Sequence, residues 1–261
     1  MFRLFGRNLA LMLLLVAIIV VPLIVAGVAA FGPEYVDALM GDGVEGMPDS
    51  PPQAVVLALI VYFALYALGM VAVTGAVSEA AARSMAGLER SVGHAYGAAF
   101  RRLPHMLGAG LVAAVVVALP VGLAAMLMLP VPVTGSVRLA VFLVLLLASV
   151  YIGVRLMFAP LVALFQQTGP LSAVARSWDL VSGAWWRTFG LLLLIGLILG
   201  VLQSAIGFLL SALPAVEALV TSLIVLPLSL IGNLLIYMDL RARKQTYRTE
   251  DLAGELESLA S

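Results

Sequence analysis

Long stretches without a charged residue dominate this chain of 261 residues. Twenty-six uncharged residues separate Arg7 from Glu34, and 35 separate Arg102 from Arg138. A helix needs about 20 apolar residues to cross the hydrocarbon core of a bilayer, so these stretches predict membrane-spanning helices. They do not alternate polar with apolar residues, as the strands of a membrane barrel would, and a barrel is therefore excluded.

Turn signals divide these stretches into six predicted spans. A break from Pro130 to Ser136 interrupts the longest stretch, and Leu213-Pro214 separates the last two spans. The predicted spans cover residues of about 9–30, 54–76, 106–129, 137–159, 189–212 and 215–238. The fold class is thus predicted to be all-α, a polytopic membrane helix bundle, with a six-helix transmembrane domain at 1–246. The first span is expected to be retained, because its apolar run exceeds the usual signal-peptide core of about 7–15 residues.

Composition excludes several classes of protein. The chain is 63% hydrophobic and 11% charged, whereas soluble domains are about 45–50% apolar and about 25% charged. Soluble, disordered and nucleic-acid-binding proteins are therefore excluded. The chain has no cysteine and only two histidines, and it lacks phosphate-loop and dinucleotide motifs. We therefore expect no cofactor, no metal site and no enzymatic activity.

The basic residues lie almost entirely on one predicted side of the membrane. Thirteen of the 14, all except Arg138, belong to the termini or to the two connections on the same side as the termini. The first-to-second loop has no basic residue, and its acidic residues are Glu34, Asp37, Asp42, Glu45 and Asp49. The positive-inside rule then predicts a multi-pass protein of a bacterial cytoplasmic (inner) membrane, with both termini cytoplasmic.

Both cytoplasmic connections are predicted to form amphipathic helices in the membrane interface. Their apolar positions at helical spacing are Val92, Ala95, Ala99 and Leu103, and then Leu171, Val174, Trp178, Val181 and Trp185. Arg176 and Asp179 are expected to pair on the opposite face of the second helix. The unit of span, interfacial helix and span occurs twice, which favours an internal repeat.

Basic and tryptophan side chains on this side are the candidate contacts for lipid headgroups or a partner. They are Arg101, Arg102, Arg155, Arg176, Trp178, Trp185, Trp186, Arg187, Arg241, Arg243 and Lys244. Arg155 lies about one turn inside the fourth span. It is expected to snorkel, to pair with a phosphate headgroup or Asp179, or to contact a ligand.

Polar and small residues within the last two spans form a second set of candidates. Gln203, Ser204 and Asn233 are candidate intramembrane polar contacts across the closing hairpin. Gly196 and Gly200 form a small-residue stripe with Ser204, and this stripe permits close helix approach.

Two acidic segments are expected to be solvated. Glu79 and Glu89 lie in a segment rich in alanine and arginine, where a solvated face is preferred over an acid/base pair. Residues 247–261 form an acidic cytoplasmic tail with an apolar stripe at Leu252, Leu256 and Leu259. We expect a solvated, frayed terminus, the alternatives being a short helix that folds back onto the basic cluster at 241–244 or that meets a partner.

Two strings in the chain resemble a known family. They are GPLSAVARSWDLVSGAWWRT at 169–188 and YMDLRARK at 237–244. They resemble motifs of bacterial and archaeal six-helix proteins named after the membrane domain of glycerophosphoryl diester phosphodiesterase. The resemblance implies a largely uncharacterised integral membrane domain. It implies no activity, because the founding enzymes carry their catalytic histidine and acidic motifs on a separate soluble domain, and those motifs are missing here.

We therefore predict a non-enzymatic integral membrane protein that is a scaffold or accessory protein for envelope or lipid-handling partners. The expected partners are the lipid bilayer, anionic phospholipid headgroups and a membrane protein, with no nucleic acid. One alternative is a transporter or lipid-moving protein with a cavity lined by Arg155, Gln203 or Asn233. The other is a membrane-embedded enzyme, which would need clustered acid/base groups.

Overall fold

The part of the chain that the computed structural model describes is helical, apart from short turns between the helices. The described residues are residue 6 and residues 9–40, 53–89, 91–126, 135–211, 213–245 and 249–260. Within these ranges no strand occurs, which confirms the all-α fold class. The helices are α1 (Leu9–Met40), α2 (Gln53–Ala86), α3 (Val92–Met126), α4 (Gly135–Leu156), α5 (Ala159–Phe165), α6 (Pro170–Val181), α7 (Trp185–Leu210), α8 (Pro214–Gln245) and α9 (Thr249–Ala260).

Six stretches in the described ranges are long and apolar enough to cross a membrane. They are Leu9–Gly27, Val56–Ala86, Val92–Met126, Gly135–Phe165, Trp185–Leu210 and Val216–Lys244. The protein is thus a multi-pass membrane protein, as predicted. Most of the predicted break before α4, and Asp42, Glu45 and Asp49 of the acidic loop, lie outside the described residues.

The first predicted interfacial helix does not form a separate element. Helix α2 runs ten residues past the predicted end at 76, and α3 is continuous from Val92 through Pro104 to Met126. The chain turns between α2 and α3 at Gly87, whose φ of +72° is left-handed, and the Leu88 amide donates to the Arg83 carbonyl at 3.0 Å. This is a Schellman motif. The Ser91 hydroxyl then accepts from the His94 amide at 3.1 Å, capping α3, so two local signals place a tight turn here.

One compact unit comprises residues Met1–Phe100 and Ile195–Gly232. Within it α1 packs against α2. A Cβ added at Gly69 would lie 2.7 Å from Cγ2 of Ile19, and one at Gly27 would lie 2.8 Å from the Tyr62 hydroxyl oxygen. Close approach therefore occurs at Gly27 and Gly69. At Gly196 and Gly200 of the predicted stripe, an added Cβ would meet no described atom within 4 Å.

The expectation of a solvated Glu79 is wrong. Glu79 is only 1% exposed, and its carboxylate accepts a hydrogen bond from Nε of Arg83, which is also buried. The three alanines between them at 80–82 are buried as well, since alanine is small enough for neighbouring elements to pack against the helix backbone. Glu89 is exposed, as expected.

The second compact unit comprises Arg101–Leu194 and Asn233–Ser261. In it α6 packs against α4 and α5, and α9 packs against α5. The second predicted interfacial segment is a separate helix, α6, whose buried residues are Ala173, Ser177, Leu180 and Val181. Val181 belongs to the predicted apolar stripe. Leu171 of the predicted apolar stripe is 73% exposed. The buried face thus combines the small Ala173 and Ser177 with Leu180 and Val181, and the Ser177 hydroxyl donates to the Arg155 carbonyl at 2.7 Å.

We predict that Gly108→Ala destabilises the second unit, whereas Gly110→Ala does not. A Cβ at Gly108 would lie 2.6 Å from Cγ of Pro170, a rigid ring at the start of α6, whereas at Gly110 the nearest described atom is 4.0 Å away. Overpacking costs about 1–3 kcal/mol, while glycine-to-alanine within a helix stabilises by up to about 1 kcal/mol. Thermal unfolding of the two variants in the same detergent measures the difference, and equal midpoints would contradict the close contact.

Candidate functional site

An arginine in contact with two aromatic rings lies at the end of α4. The Arg155 guanidinium carbon is 4.3 Å from the centroid of the Trp178 ring and 4.9 Å from that of the Tyr151 ring. Tyr151 precedes Arg155 by one helical turn, and α6 supplies Trp178, so two elements form the cation–π arrangement. The expected pairing of Arg155 with Asp179 does not occur in the described structure.

All three tryptophans belong to this aromatic cluster. The indole Nε1 of Trp185 donates to the Tyr151 carbonyl at 3.2 Å, and the Trp185 ring stacks on Phe189 with centroids 5.1 Å apart. The Trp186 ring lies 4.7 Å from that of Trp185 and is 79% exposed. Tryptophan is enriched at the headgroup level of membranes, so this cluster indicates where the second unit meets the bilayer surface.

A cleft of about 460 Å³ lies beside α6. Its lining residues are Gln166, Arg176, Asp179, Leu180 and Lys244. Gln166 follows the last residue of α5, Lys244 lies in the last turn of α8, and α6 supplies the other three. Three elements of the second unit thus bring these side chains together.

Both cations of the cleft are bonded to neutral acceptors. Nη1 of Arg176 donates to Oε1 of Gln166 at 2.8 Å, and Nζ of Lys244 donates to the backbone carbonyl of Asp179. Among the residues that the structure describes, neither cation is within 4.0 Å of a carboxylate oxygen. The expected Arg176–Asp179 ion pair is therefore not formed, and the cleft carries two cations and one carboxylate.

The side chain of Gln166 is hydrogen-bonded to a residue of a buried aromatic cluster. Its Nε2 donates to the Tyr237 hydroxyl at 3.2 Å. The Tyr237 ring is fully buried between Phe158 and Phe165, whose centroids lie 6.3 and 6.0 Å away. This arrangement orients the amide oxygen of Gln166 towards Arg176.

The expectation of a frayed tail is wrong. Residues 249–260 form α9, and its three stripe leucines are buried: Leu252, Leu256 and Leu259. Both guanidinium Nη atoms of Arg241 donate to the Glu255 carboxylate at 2.8 Å, and Nη2 of Arg101 donates to the Leu259 carbonyl at 2.7 Å. The fold-back alternative is the one observed, because Glu255 lies beside the leucine stripe and meets the basic cluster.

Two further basic residues share one carboxylate. Asp239 pairs with Nη2 of Arg187 at 3.1 Å and with Nε of Arg243 at 3.1 Å. Arg102 donates to the side-chain oxygen of Gln167. Among the predicted basic contacts, Arg176 and Lys244 line the same cleft. Each of the two is bonded to a neutral oxygen and not to a carboxylate.

The predicted intramembrane polar residues are not among those that line this cleft. Gln203 and Ser204 are exposed on α7, and Asn233 of α8 is half-buried. Their role in helix contacts stays a prediction. Within the described ranges, no group of three or more histidine, aspartate or glutamate side chains could hold a metal ion.

Sequence reasoning missed Gln166, Tyr237 and the role of Glu255. Gln166 directly follows an apolar helix and precedes the Gly169-Pro170 helix start, which is the one local signal for a turn there. Tyr237 begins the string YMDLRARK at 237–244, but nothing in the sequence indicates that its hydroxyl contacts Gln166.

No family model, curated protein or solved structure matches the chain. Membership of the six-helix family that the two strings resemble therefore stays a prediction.

Proposed function

We propose that this chain is a non-enzymatic accessory protein of a bacterial inner membrane, which gathers anionic phospholipid for envelope or lipid-handling partners. The observation that carries the proposal is the cleft of the second unit, where Arg176 and Lys244 are bonded to neutral groups only. Basic residues near an anionic membrane surface each contribute about 1 kcal/mol of attraction. The neighbouring tryptophan cluster supports a position at headgroup depth.

The proposal requires both termini and α6 to face the cytoplasm, as the distribution of basic residues predicts. The chain has no cysteine, so single engineered cysteines report their side without interference. We expect Glu45→Cys to react with an impermeant maleimide on intact spheroplasts, and Leu171→Cys to react only after permeabilisation. The reverse pattern would overturn the orientation.

The lipids that surround the protein test the proposed function. Extraction from native membranes with a nanodisc-forming polymer keeps these lipids, and mass spectrometry quantifies them. We expect anionic phospholipid to be enriched over the bulk membrane, and the enrichment to fall when membranes are equilibrated at high salt before extraction, because salt screens surface charge. Lipids of bulk composition would contradict the proposal.

A lipid-moving protein is the alternative from which this role must be distinguished. We expect proteoliposomes to show the same transbilayer movement of a fluorescent phospholipid as protein-free liposomes. Faster movement that depends on the protein would replace the accessory role with lipid translocation.

A further inference from the structure

We infer that the cleft at Gln166, Arg176, Asp179 and Lys244 is a specific site for one singly charged phosphodiester that has a hydrogen-bond donor beside the phosphate. The inference rests on the proposed function in one respect: a phospholipid headgroup is the expected source of that group. It names a defined site where the proposed function requires only a general attraction.

The two cations supply the phosphate contacts. Arg176 and Lys244 are exposed, and each is bonded to a neutral oxygen. Each cation keeps N–H donors beyond the one that binds its neutral oxygen. A phosphate oxygen can accept from these donors, and its negative charge adds a Coulombic attraction that the Gln166 amide and the Asp179 carbonyl do not supply. Arginine matches phosphate with two parallel donors, and lysine adds a point charge.

Gln166 is a positioning residue. Its Nε2 donates to the buried Tyr237 hydroxyl at 3.2 Å, and its oxygen accepts from Arg176 at 2.8 Å. Because the amide is anchored at both ends, the Arg176 guanidinium is held at the cleft before any ligand arrives. Such preorganisation lowers the ordering cost of binding.

Asp179 determines which phosphate fits. Among the described residues its carboxylate forms no ion pair, and it gives the cleft a formal net charge of +1 together with Arg176 and Lys244. A phosphodiester monoanion balances this charge, whereas a phosphate dianion meets repulsion from the carboxylate. A hydroxyl group next to the phosphodiester can donate to the carboxylate, so we expect a headgroup with hydroxyls to bind best.

The position and size of the cleft favour a lipid as the source. Lys244 ends the candidate span Val216–Lys244, and Gln166 directly follows the candidate span Gly135–Phe165. The ends of spans lie at the headgroup region of a bilayer. The volume of about 460 Å³ exceeds that of a bare phosphate and lies in the range of small-molecule sites, and Leu180 adds an apolar wall.

Native mass spectrometry of the intact, detergent-solubilised protein tests the site. The probes are phosphatidylglycerol, phosphatidic acid, phosphatidylcholine and inorganic phosphate, each titrated separately. We expect one phosphatidylglycerol to bind about tenfold more tightly than phosphatidylcholine, a difference that one charge-assisted hydrogen bond can supply. Arg176→Gln and Lys244→Gln should each abolish this preference.

Matched variants separate the site from general charge effects. Arg243→Gln removes a neighbouring charge that is paired with Asp239, and we expect it to keep wild-type binding. Lys244→Arg should rescue binding, and Asp179→Asn should bring phosphatidic acid level with phosphatidylglycerol. Melting temperatures within about 2 °C of wild type, a shift below about 1 kcal/mol, exclude unfolding as the cause of lost binding.

The outcomes are distinguishable. Saturable binding of inorganic phosphate that the cleft variants abolish, without binding of lipid, overturns the assignment to a phosphodiester headgroup and makes the cleft a site for a free phosphate anion. Wild-type lipid binding by the Arg176→Gln and Lys244→Gln variants overturns the site, while leaving the proposed function intact if anionic lipid is still enriched in the extracted particles. The proposed function alone is overturned if the extracted particles contain lipids of bulk composition while the purified protein still prefers phosphatidylglycerol at the cleft.

Discussion

Glu255→Gln is expected to release helix α9 from the second unit. Glu255 binds the two Nη atoms of Arg241 at 2.8 Å, and Arg241 is 4% exposed. Removing one partner of a fully buried ion pair costs about 3–5 kcal/mol. Because the Glu255 side chain is 26% exposed, we expect a loss at the lower end of this range. Local detachment of a terminal helix returns Arg241 to water without unfolding the rest of the unit, so we expect the loss to appear in α9 first.

Hydrogen exchange of the α9 backbone amides measures this release. A loss of about 3 kcal/mol corresponds to roughly 100-fold faster exchange of the amides that report on docking. Glu257→Gln is the matched control, since this exposed residue lies two positions away on the same helix and the substitution removes the same charge. Equal protection of α9 in the two variants would contradict the proposed role of the Arg241–Glu255 pair.

Arg83→Met is expected to destabilise the first unit strongly. Glu79 is 1% exposed, and Oε2 of its carboxylate has no hydrogen-bond partner among the described residues. The second oxygen accepts from Arg83, so the substitution leaves a buried carboxylate without this cation. We expect a loss of about 3–5 kcal/mol in the free energy of unfolding, together with a weaker α2–α3 turn, since Arg83 also donates to the Glu89 carbonyl at 3.4 Å.

The double variant Glu79→Gln/Arg83→Met provides the control. Replacing both members of a buried pair with neutral residues of similar volume is often close to neutral. We therefore expect most of the stability lost in Arg83→Met to return in the double variant, when both are unfolded by heat and followed by circular dichroism in one detergent. A double variant as unstable as Arg83→Met would show that the charge of Glu79 is not the cause.

Glu79 and Glu255 show why the acidic residues were harder to predict than the spans. Glu79 lies in a segment rich in alanine and arginine and Glu255 in an acidic tail, and the sequence predicted solvation for each. Whether a carboxylate is buried depends on which helix packs against its face and on whether a cation lies within reach there. For Glu255 that cation is Arg241, 14 positions away and on another helix. The sequence offered this fold-back as an alternative to the frayed tail, but it did not decide between the two.

The candidate cleft was predictable in part. Arg176, Lys244 and the three tryptophans were all selected from the sequence as contacts for headgroups or a partner. Gln166 was not selected, and the expected Arg176–Asp179 pair gave way to a bond between Arg176 and Gln166. Spacing along one helix indicates which of its own side chains can meet, here Arg176 and Asp179. The residue that binds Arg176 instead, Gln166, lies outside that helix.

The chain by itself determined the all-α class and the number of membrane spans. Both depend on the length of apolar segments and on the requirement that backbone groups in lipid be hydrogen-bonded within one helix, which are local properties. Only the tertiary structure decided which face of α6 is packed, that α9 docks on its unit, and that Arg176 and Lys244 share one cleft. These outcomes depend on packing between residues far apart in sequence, where the free energy of a charge or an apolar face is set by the partner that covers it.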